Sequence, residues 1–186
     1  RVSEVLRLTA PLPEVVAEDS ALDQALQGLR AGSGPLGVDA ERAGSYRYSQ
    51  RAYLVQVFRR GAPVLLLDPI GIEDFSRLAE LLAGEEWVMQ AAHNDLECLA
   101  EIDLVPSRLF DTELAGRLLN LPKVNLAAMV AHFLGLGLAK GHGAADWSHR
   151  PLPDDWLNYA ALDVELLVEL RAAMRAALAD AGRLEG

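Results

Sequence analysis

The stretch LGVDAE, residues 36–41, sets two carboxylates two positions apart within an apolar run. Side chains of an extended chain alternate between faces, so Asp39 and Glu41 share one face while Val38 and Ala40 share the other. Two acids on one strand face can hold a hard cation, although a lone Asp-x-Glu more often marks the solvent-washed face of an edge strand. Outward from this strand, apolar runs at 52–58 and 63–67 are separated by connections short enough for hairpins, which predicts an antiparallel three-stranded start. Upstream, Ala21, Leu22, Ala25, Leu26 and Leu29 recur at helical spacing, which predicts a helix over 20–30 with Ser20 as its N-cap. The turn AGSGP at 31–35 ends it.

Beyond Ile72 the pattern alternates. A helix through Phe75, Leu78, Leu81 and Leu82 precedes a strand at 87–91, a helix over 95–102 and a short strand around Leu109. Helices at 112–119 and 126–134 follow, then a Gly-rich, partly charged loop over 135–153 and a long helix over 154–181. Alternation of this kind predicts an α/β fold with a mixed sheet of five or six strands. One domain over 1–186, with its core at about 20–181, is expected.

With 186 residues, 51% of them hydrophobic, the chain can bury a full core without a structural staple. Its single cysteine, Cys98, excludes an internal disulfide framework and suits a reducing, cytoplasmic setting; it reads as a small buried apolar residue. The N-terminal stretch has no signal-peptide core, and no apolar run reaches the roughly 20 residues of a membrane span. The formal charge of −10 argues against gripping nucleic acid by bulk counterion release. That objection weakens if several acids gather at a metal site, because bound dications reverse the field a phosphate meets.

Two further places carry candidate chemistry. Tyr159 and Asp163, four apart in NYAALDVELL, project from one helical face, and their apolar neighbours imply that Asp163 needs a partner or a metal. A turn tyrosine beside a solvent-facing aspartate is the alternative. Asp95, in HNDLECL, stands where a strand turns into a helix; capping is the routine role there and does not exclude ligation.

Taken in order, Asp39-Ala40-Glu41, HNDLECL and Tyr159-x-x-x-Asp163 resemble the motifs of the DEDDy 3′→5′ exonuclease superfamily. The phrases LGVDAER, YLVQVF, LFDTELAGRLLN, ADWSHRPLP and YAALDVELL are most similar to the ribonuclease D family, over roughly residues 35–175. The resemblance implies a ribonuclease H-like mixed sheet flanked by helices, its first three strands antiparallel, with the site between the first strand and the final helix. It implies that Asp39, Glu41, Asp95 and Asp163 bind two divalent cations, Mg²⁺ or Mn²⁺, and that Tyr159 orients the attacking water. A phenol with pKa near 10 is a poor base at neutral pH, which favours positioning over proton abstraction.

The implied activity is 3′→5′ hydrolysis of single-stranded RNA ends, structured precursors included, releasing nucleoside 5′-monophosphates in RNA maturation or turnover. A DNA exonuclease of the same chemistry and a catalytically inactive nucleic-acid-binding domain are the alternatives. A monomer with no membrane partner is expected. Ala40, Gln56, His93, Asn94, Lys140, Trp147 and Arg150 are the expected substrate contacts. For Gln56 a buried hydrogen bond is an equal alternative, for His93 a structural role, and for Trp147 an anchor holding its loop to the core. Asp111 is expected to cap the helix after it. The chain departs from the family at Ala40, where threonine is common, and in lacking an evident basic helical region. Family members usually continue into helical nucleic-acid-binding domains, so the chain is expected to be part of a longer protein.

Overall fold

Apolar alternation becomes a six-stranded mixed sheet in the computed structural model, which describes residues 10–138 and 141–184. In chain order the elements are β1 (Val15–Val16), α1 (Asp19–Arg30), β2 (Ser33–Glu41), β3 (Leu54–Arg60), β4 (Leu65–Leu67) and α2 (Ser76–Ala83). These are followed by β5 (Glu86–Met89), α3 (Leu96–Ala100), β6 (Arg108–Asp111), α4 (Thr112–Leu118), α5 (Leu126–Leu134) and α6 (Asp154–Asp180). The strand order is β1-β4-β3-β2-β5-β6. The hairpin pairs β2–β3 and β3–β4 are antiparallel, as the short connections predict, whereas β5, β6 and β1 pair parallel with their neighbours. The expected α/β fold, with its first three read strands antiparallel, is borne out.

Two details differ from the sequence reading. β1 is an additional strand, too short for a two-residue alternation to stand out. α1 begins at Asp19, two residues earlier than a Ser20 cap would allow; Glu18 is the extended cap residue and makes no side-chain capping bond. The Asp19 carboxylate instead accepts the backbone N–H groups of Glu73 and Asp74, at 2.8 and 3.0 Å, tying the helix start to the segment after β4.

Each face of the sheet has its own cover. Val38, Ala40, Val55 and Val57 pack with Leu22, Leu26 and Leu29 of α1, Leu78 and Leu82 of α2, and Leu99 of α3. On the opposite face Leu54 and Leu66 meet Leu157, Ala160 and Ala161 of α6, and Val88 meets Val164 and Leu167. The far half of α6 packs Leu166, Leu170 and Met174 against α4 and α5. Burying side chains of this size is the main favourable term in folding, at about 1.5–3 kcal/mol each.

Gly37 sets the approach of α6. A Cβ there would lie 2.4 Å from the carbonyl oxygen of Val164, so only glycine lets the helix backbone ride this close on β2. Asp39 and Glu41 lie on the same strand face as Gly37, and Asp163 immediately precedes Val164. Close approach thus brings the strand acids and the helix acid together. No helix among the described residues is long and apolar enough to cross a membrane.

Candidate active site

Three elements supply the acids. β2 ends with Asp39 and Glu41, α6 carries Tyr159 and Asp163, and the junction between β5 and α3 carries Asp95. One carboxylate oxygen from each of Asp39, Glu41 and Asp163 lies within 4.8 Å of the others. Asp95 faces the same cavity as Asp39. These four acids and Tyr159 line a cavity of about 400 Å³, together with Ala40, Arg42, Gln90 and Asn94.

Electrostatics explains what the cluster needs. Burial first, then repulsion from Glu41, Asp95 and Asp163, holds the Asp39 carboxyl well above its ordinary range. Glu41 is raised in the same way by burial and by Asp163 and Asp95. Burial pushes Asp95 up to about 6 against the lowering effects of the neighbouring Asp39 and of Arg42. Burial pushes Asp163 up to about 7, against the lowering effect of the neighbouring Tyr159 hydroxyl. The protein's own groups do little to offset this crowding: the Arg42 Nε stands 3.8 Å from Asp95, and the neutral Gln56 amide donates to Glu41 at 3.3 Å. The donor set is all oxygen, which is what Mg²⁺ and Mn²⁺ take. The four acids therefore fit such ions by geometry and charge.

Backbone conformation aims Asp95 inward. Ala91 adopts a left-handed conformation, φ 50°, which is costly for a residue with a Cβ. The Asp111 carboxylate holds that bend by accepting the N–H groups of Ala91 and Ala92 at 3.2 and 2.9 Å, while capping α4 through Glu113 and Leu114. The expected cap is present, and the tie to the Asp95 junction is a second role that sequence reading missed. Tyr159 is held from the side by glycine: a Cβ on Gly141 would lie 2.2 Å from its ring. Burial, then the charges of Asp163, Glu41 and Asp39, raises the Tyr159 phenol above its ordinary range and keeps it a hydrogen-bond donor.

The expected substrate contacts divide. Ala40 and Asn94 line the cavity, and His93 is exposed beside it. Gln56 is fully buried and donates to Glu41 and, at 3.4 Å, to the carbonyl of Ala160, so it positions an acid and faces no substrate. Trp147 is fully buried and its indole N–H donates to the His142 carbonyl at 3.1 Å, so it anchors its loop and offers no face for stacking. Arg150 spends all five N–H donors internally, on both Asp68 oxygens and on the carbonyls of Tyr53, Trp147 and His149. It is a structural clamp, a correction to its expected place at the substrate. Lys140 lies outside the described residues. Cys98 is buried, its Sγ 3.2 Å from the Asp95 carbonyl, and burial pushes the thiol up to about 12, as fits an inert residue. Gly44, Gln50 and Gln90 also line the cavity and were not singled out from sequence; Gln90 is fixed by donating to the Val124 carbonyl and accepting from Thr112.

A mixed sheet of this order, with acids converging between its central strand and a covering helix, defines a ribonuclease H-like domain with a carboxylate centre. Residues 13–179 match the 3′-5′ exonuclease family model, and the chain belongs to that family. Ribonuclease D of Haemophilus influenzae is 32% identical over 161 residues, which are 84% of this chain and 40% of the relative. A crystal structure of a protein from Bifidobacterium adolescentis superposes with a TM-score of 0.93 at 44% identity, covering 96% of this chain and 44% of that one. Escherichia coli RNase D, described as an exoribonuclease involved in structured RNA processing, gives a TM-score of 0.76 at 27% identity, over 88% of this chain and 45% of its own. The expected ribonuclease D kinship is thereby borne out. This chain spans less than half the length of each of these relatives.

Proposed function

We propose that this domain removes nucleotides one at a time from the 3′ ends of single-stranded RNA by metal-dependent hydrolysis, releasing nucleoside 5′-monophosphates. The observation that carries this reading is the convergence of Asp39, Glu41 and Asp163 within 4.8 Å, with Asp95 and Tyr159 lining the same cavity. Asp39, Glu41, Asp95 and Asp163 would hold two divalent cations, Mg²⁺ or Mn²⁺. When bound, such ions activate water and stabilise the attacking and leaving oxygens of a phosphodiester.

The chain's own residues supply the rest. Tyr159, raised in pKa by burial and by the charge of Asp163, keeps its proton and offers a phenolic lone pair to orient the attacking water. The water gives up a proton and its oxygen bonds to phosphorus as the bond from phosphorus to the leaving 3′ oxygen breaks, and that leaving oxygen takes up a proton. Gln56 and Asp111 fix the acids without touching substrate. Ala40 and Asn94 on the cavity wall, with His93 beside it, are placed to meet the terminal nucleotide.

RNA is favoured over DNA by the relatives named ribonuclease D. Discrimination of the two sugars requires a contact to the 2′-hydroxyl. A cytoplasmic monomer acting in RNA maturation or turnover is the setting we assign, consistent with a single, buried cysteine.

The test follows 3′-labelled and 5′-labelled single-stranded RNA, beside DNA of the same sequence, with Mg²⁺, Mn²⁺ or chelator. Metal-dependent shortening from the 3′ end, faster on RNA, is expected. No cleavage of either strand by folded protein with metal present overturns the reading in favour of a binding domain. Asp163→Asn keeps shape and removes charge at a ligand. Its turnover should fall by more than the roughly 10–100-fold typical of losing an outer-shell partner, with the fold retained by circular dichroism.

A further inference from the structure

The segment between Glu41 and Asp68 contradicts the charge of the whole chain. Residues 42–67 hold five arginines, Arg42, Arg47, Arg51, Arg59 and Arg60, and no Asp or Glu, in a protein of net charge −10. Arg59 is buried against Glu85, and Arg60, paired with Ser33, lies at the end of the β2–β3 hairpin remote from Glu41. The other three stand in the connection that leaves Glu41 and returns at Leu54.

That connection runs outward from the cavity. Arg42, Gly44 and Gln50 line the cavity itself, and Arg42 donates to Gln50 at 3.2 Å. A short 3₁₀ turn, Gly44–Tyr46, then presents Tyr46, 60% exposed, and Tyr48, fully exposed. Arg47 and Arg51 are exposed as well; among the described residues Arg47 makes one side-chain hydrogen bond, from Nε to the Ser148 hydroxyl at 3.1 Å, and Arg51 lies 5.9 Å from the Tyr53 ring centroid. Asp146 beside Arg47 is engaged by the hydroxyl and backbone N–H of Ser148. Glu101 shares a groove with Arg51 and is the acid that a ligand there meets.

Large aromatics exposed together on one connection mark an interaction surface. Arginines with free donors alternating with aromatic faces match the phosphates and bases of a single strand. We propose that the 42–53 connection is the strand-holding surface of this domain. Arg47 and Arg51 take backbone phosphates of the nucleotides preceding the one removed, and Tyr46 and Tyr48 stack on their bases. This rests on the proposed exonuclease reading for direction, with the 3′ end in the cavity. Its consequence is a local grip in a protein whose overall charge repels nucleic acid.

The experiment is equilibrium binding, which needs no turnover and so fails or succeeds apart from the exonuclease reading. Fluorescence anisotropy of a 5′-labelled single-stranded decanucleotide is measured with Asp163→Asn protein in Mg²⁺ across a salt series. Adding Arg47→Ala and Arg51→Ala should lower the slope of log affinity against log salt by about 1.4, two phosphate contacts at about 0.7 each. Between 50 and 200 mM salt the parent should therefore lose about sevenfold more affinity than this variant. Adding Tyr46→Ala and Tyr48→Ala instead should weaken binding about fivefold or more per lost stack while leaving the slope in place. Arg60→Ala is the control and should change neither quantity. An unchanged slope without Arg47 and Arg51, or an equal loss in the Arg60 control, overturns the proposal. An acidic peptide of matched charge binding as tightly as the decanucleotide also overturns it and indicates a protein partner.

Discussion

Two connections border the cavity, residues 42–53 before β3 and residues 141–153 before α6, and both combine arginine, serine and aromatic side chains. Composition alone assigns them the same work, and sequence reading chose the second as the substrate loop. The structure separates them by where their polar atoms are spent. In the second loop Trp147 is buried, and all five donors of Arg150 close on Asp68 and on carbonyls of the loop and of Tyr53. In the first, Tyr46 and Tyr48 stand in solvent, and Arg47 and Arg51 keep donors unspent within the described residues. A side chain whose donors are consumed by its own protein has none left for a ligand, so one loop is scaffold and the other is surface.

The largest effect that could break this contrast is Trp147→Ala. Emptying a fully buried site of this size should cost about 3–5 kcal/mol in urea unfolding. The double change Arg47→Ala, Arg51→Ala, at exposed positions, should stay within about 0.5 kcal/mol of the parent. Equal losses in the two variants would remove the distinction between scaffold and surface. The same Trp147→Ala protein should also lose turnover at temperatures where it remains folded, because the loop it anchors begins with Gly141 against the Tyr159 ring.

How much of this was legible follows from which signals are local. The period of two in LGVDAE and the i, i+4 spacing of Tyr159 and Asp163 are set by backbone geometry, and both held. The hairpin order and α5 at 126–134 followed from apolar spacing in the same way. Contacts between segments far apart in the chain were not legible. Asp68 and Arg150 are 82 positions apart, and nothing near either names the other. Gln56 read as polar on an apolar strand and could have faced either way; only α6 crossing above it, at Ala160, decides that it supports Glu41. Gly37 was passed over as part of a strand, although its missing Cβ is what lets α6 approach. The acid-free run over 42–67 was legible throughout, and a windowed charge count in place of the total would have found it.

Asp111 extends the contrast to acids. It spends its carboxylate on four backbone N–H groups, those of Ala91, Ala92, Glu113 and Leu114, whereas Asp95 turns toward Asp39 and the cavity. Asp111→Ala should cost about 1–2 kcal/mol of stability as a lost cap. Released from the bend at Ala91, Asp95 should also hold metal about 10–100-fold more weakly, the usual result of losing an outer-shell partner. Titration calorimetry with Mn²⁺ reads the second effect. Unchanged metal affinity in a stably folded Asp111→Ala protein would make the residue a helix cap alone.

The smallest predicted effect concerns the acids that face the cavity, and it is read in chelator. Burial lifts Asp163 to about 7 in the folded chain from an ordinary value of 3.8. Between these values the folded state holds a proton that the unfolded state has given up, so stability falls as pH rises through that window. Asp163→Asn carries no such penalty. In chelator its melting temperature should match or trail the parent's near pH 4 and exceed it at pH 8. The gap at pH 8 should be on the order of 1 kcal/mol, because one pKa unit is worth about 1.4 and neighbouring carboxylates relieve the parent by taking up protons. Mg²⁺ should stabilise the parent more at pH 8 than at pH 5, since ligands must first lose their protons. A parent-to-variant gap that is the same at both ends of the range would mean that Asp163 bears no burial penalty. The acids of the cavity would then be as well satisfied within the protein as Asp111 is, and the inward and outward classes would no longer differ.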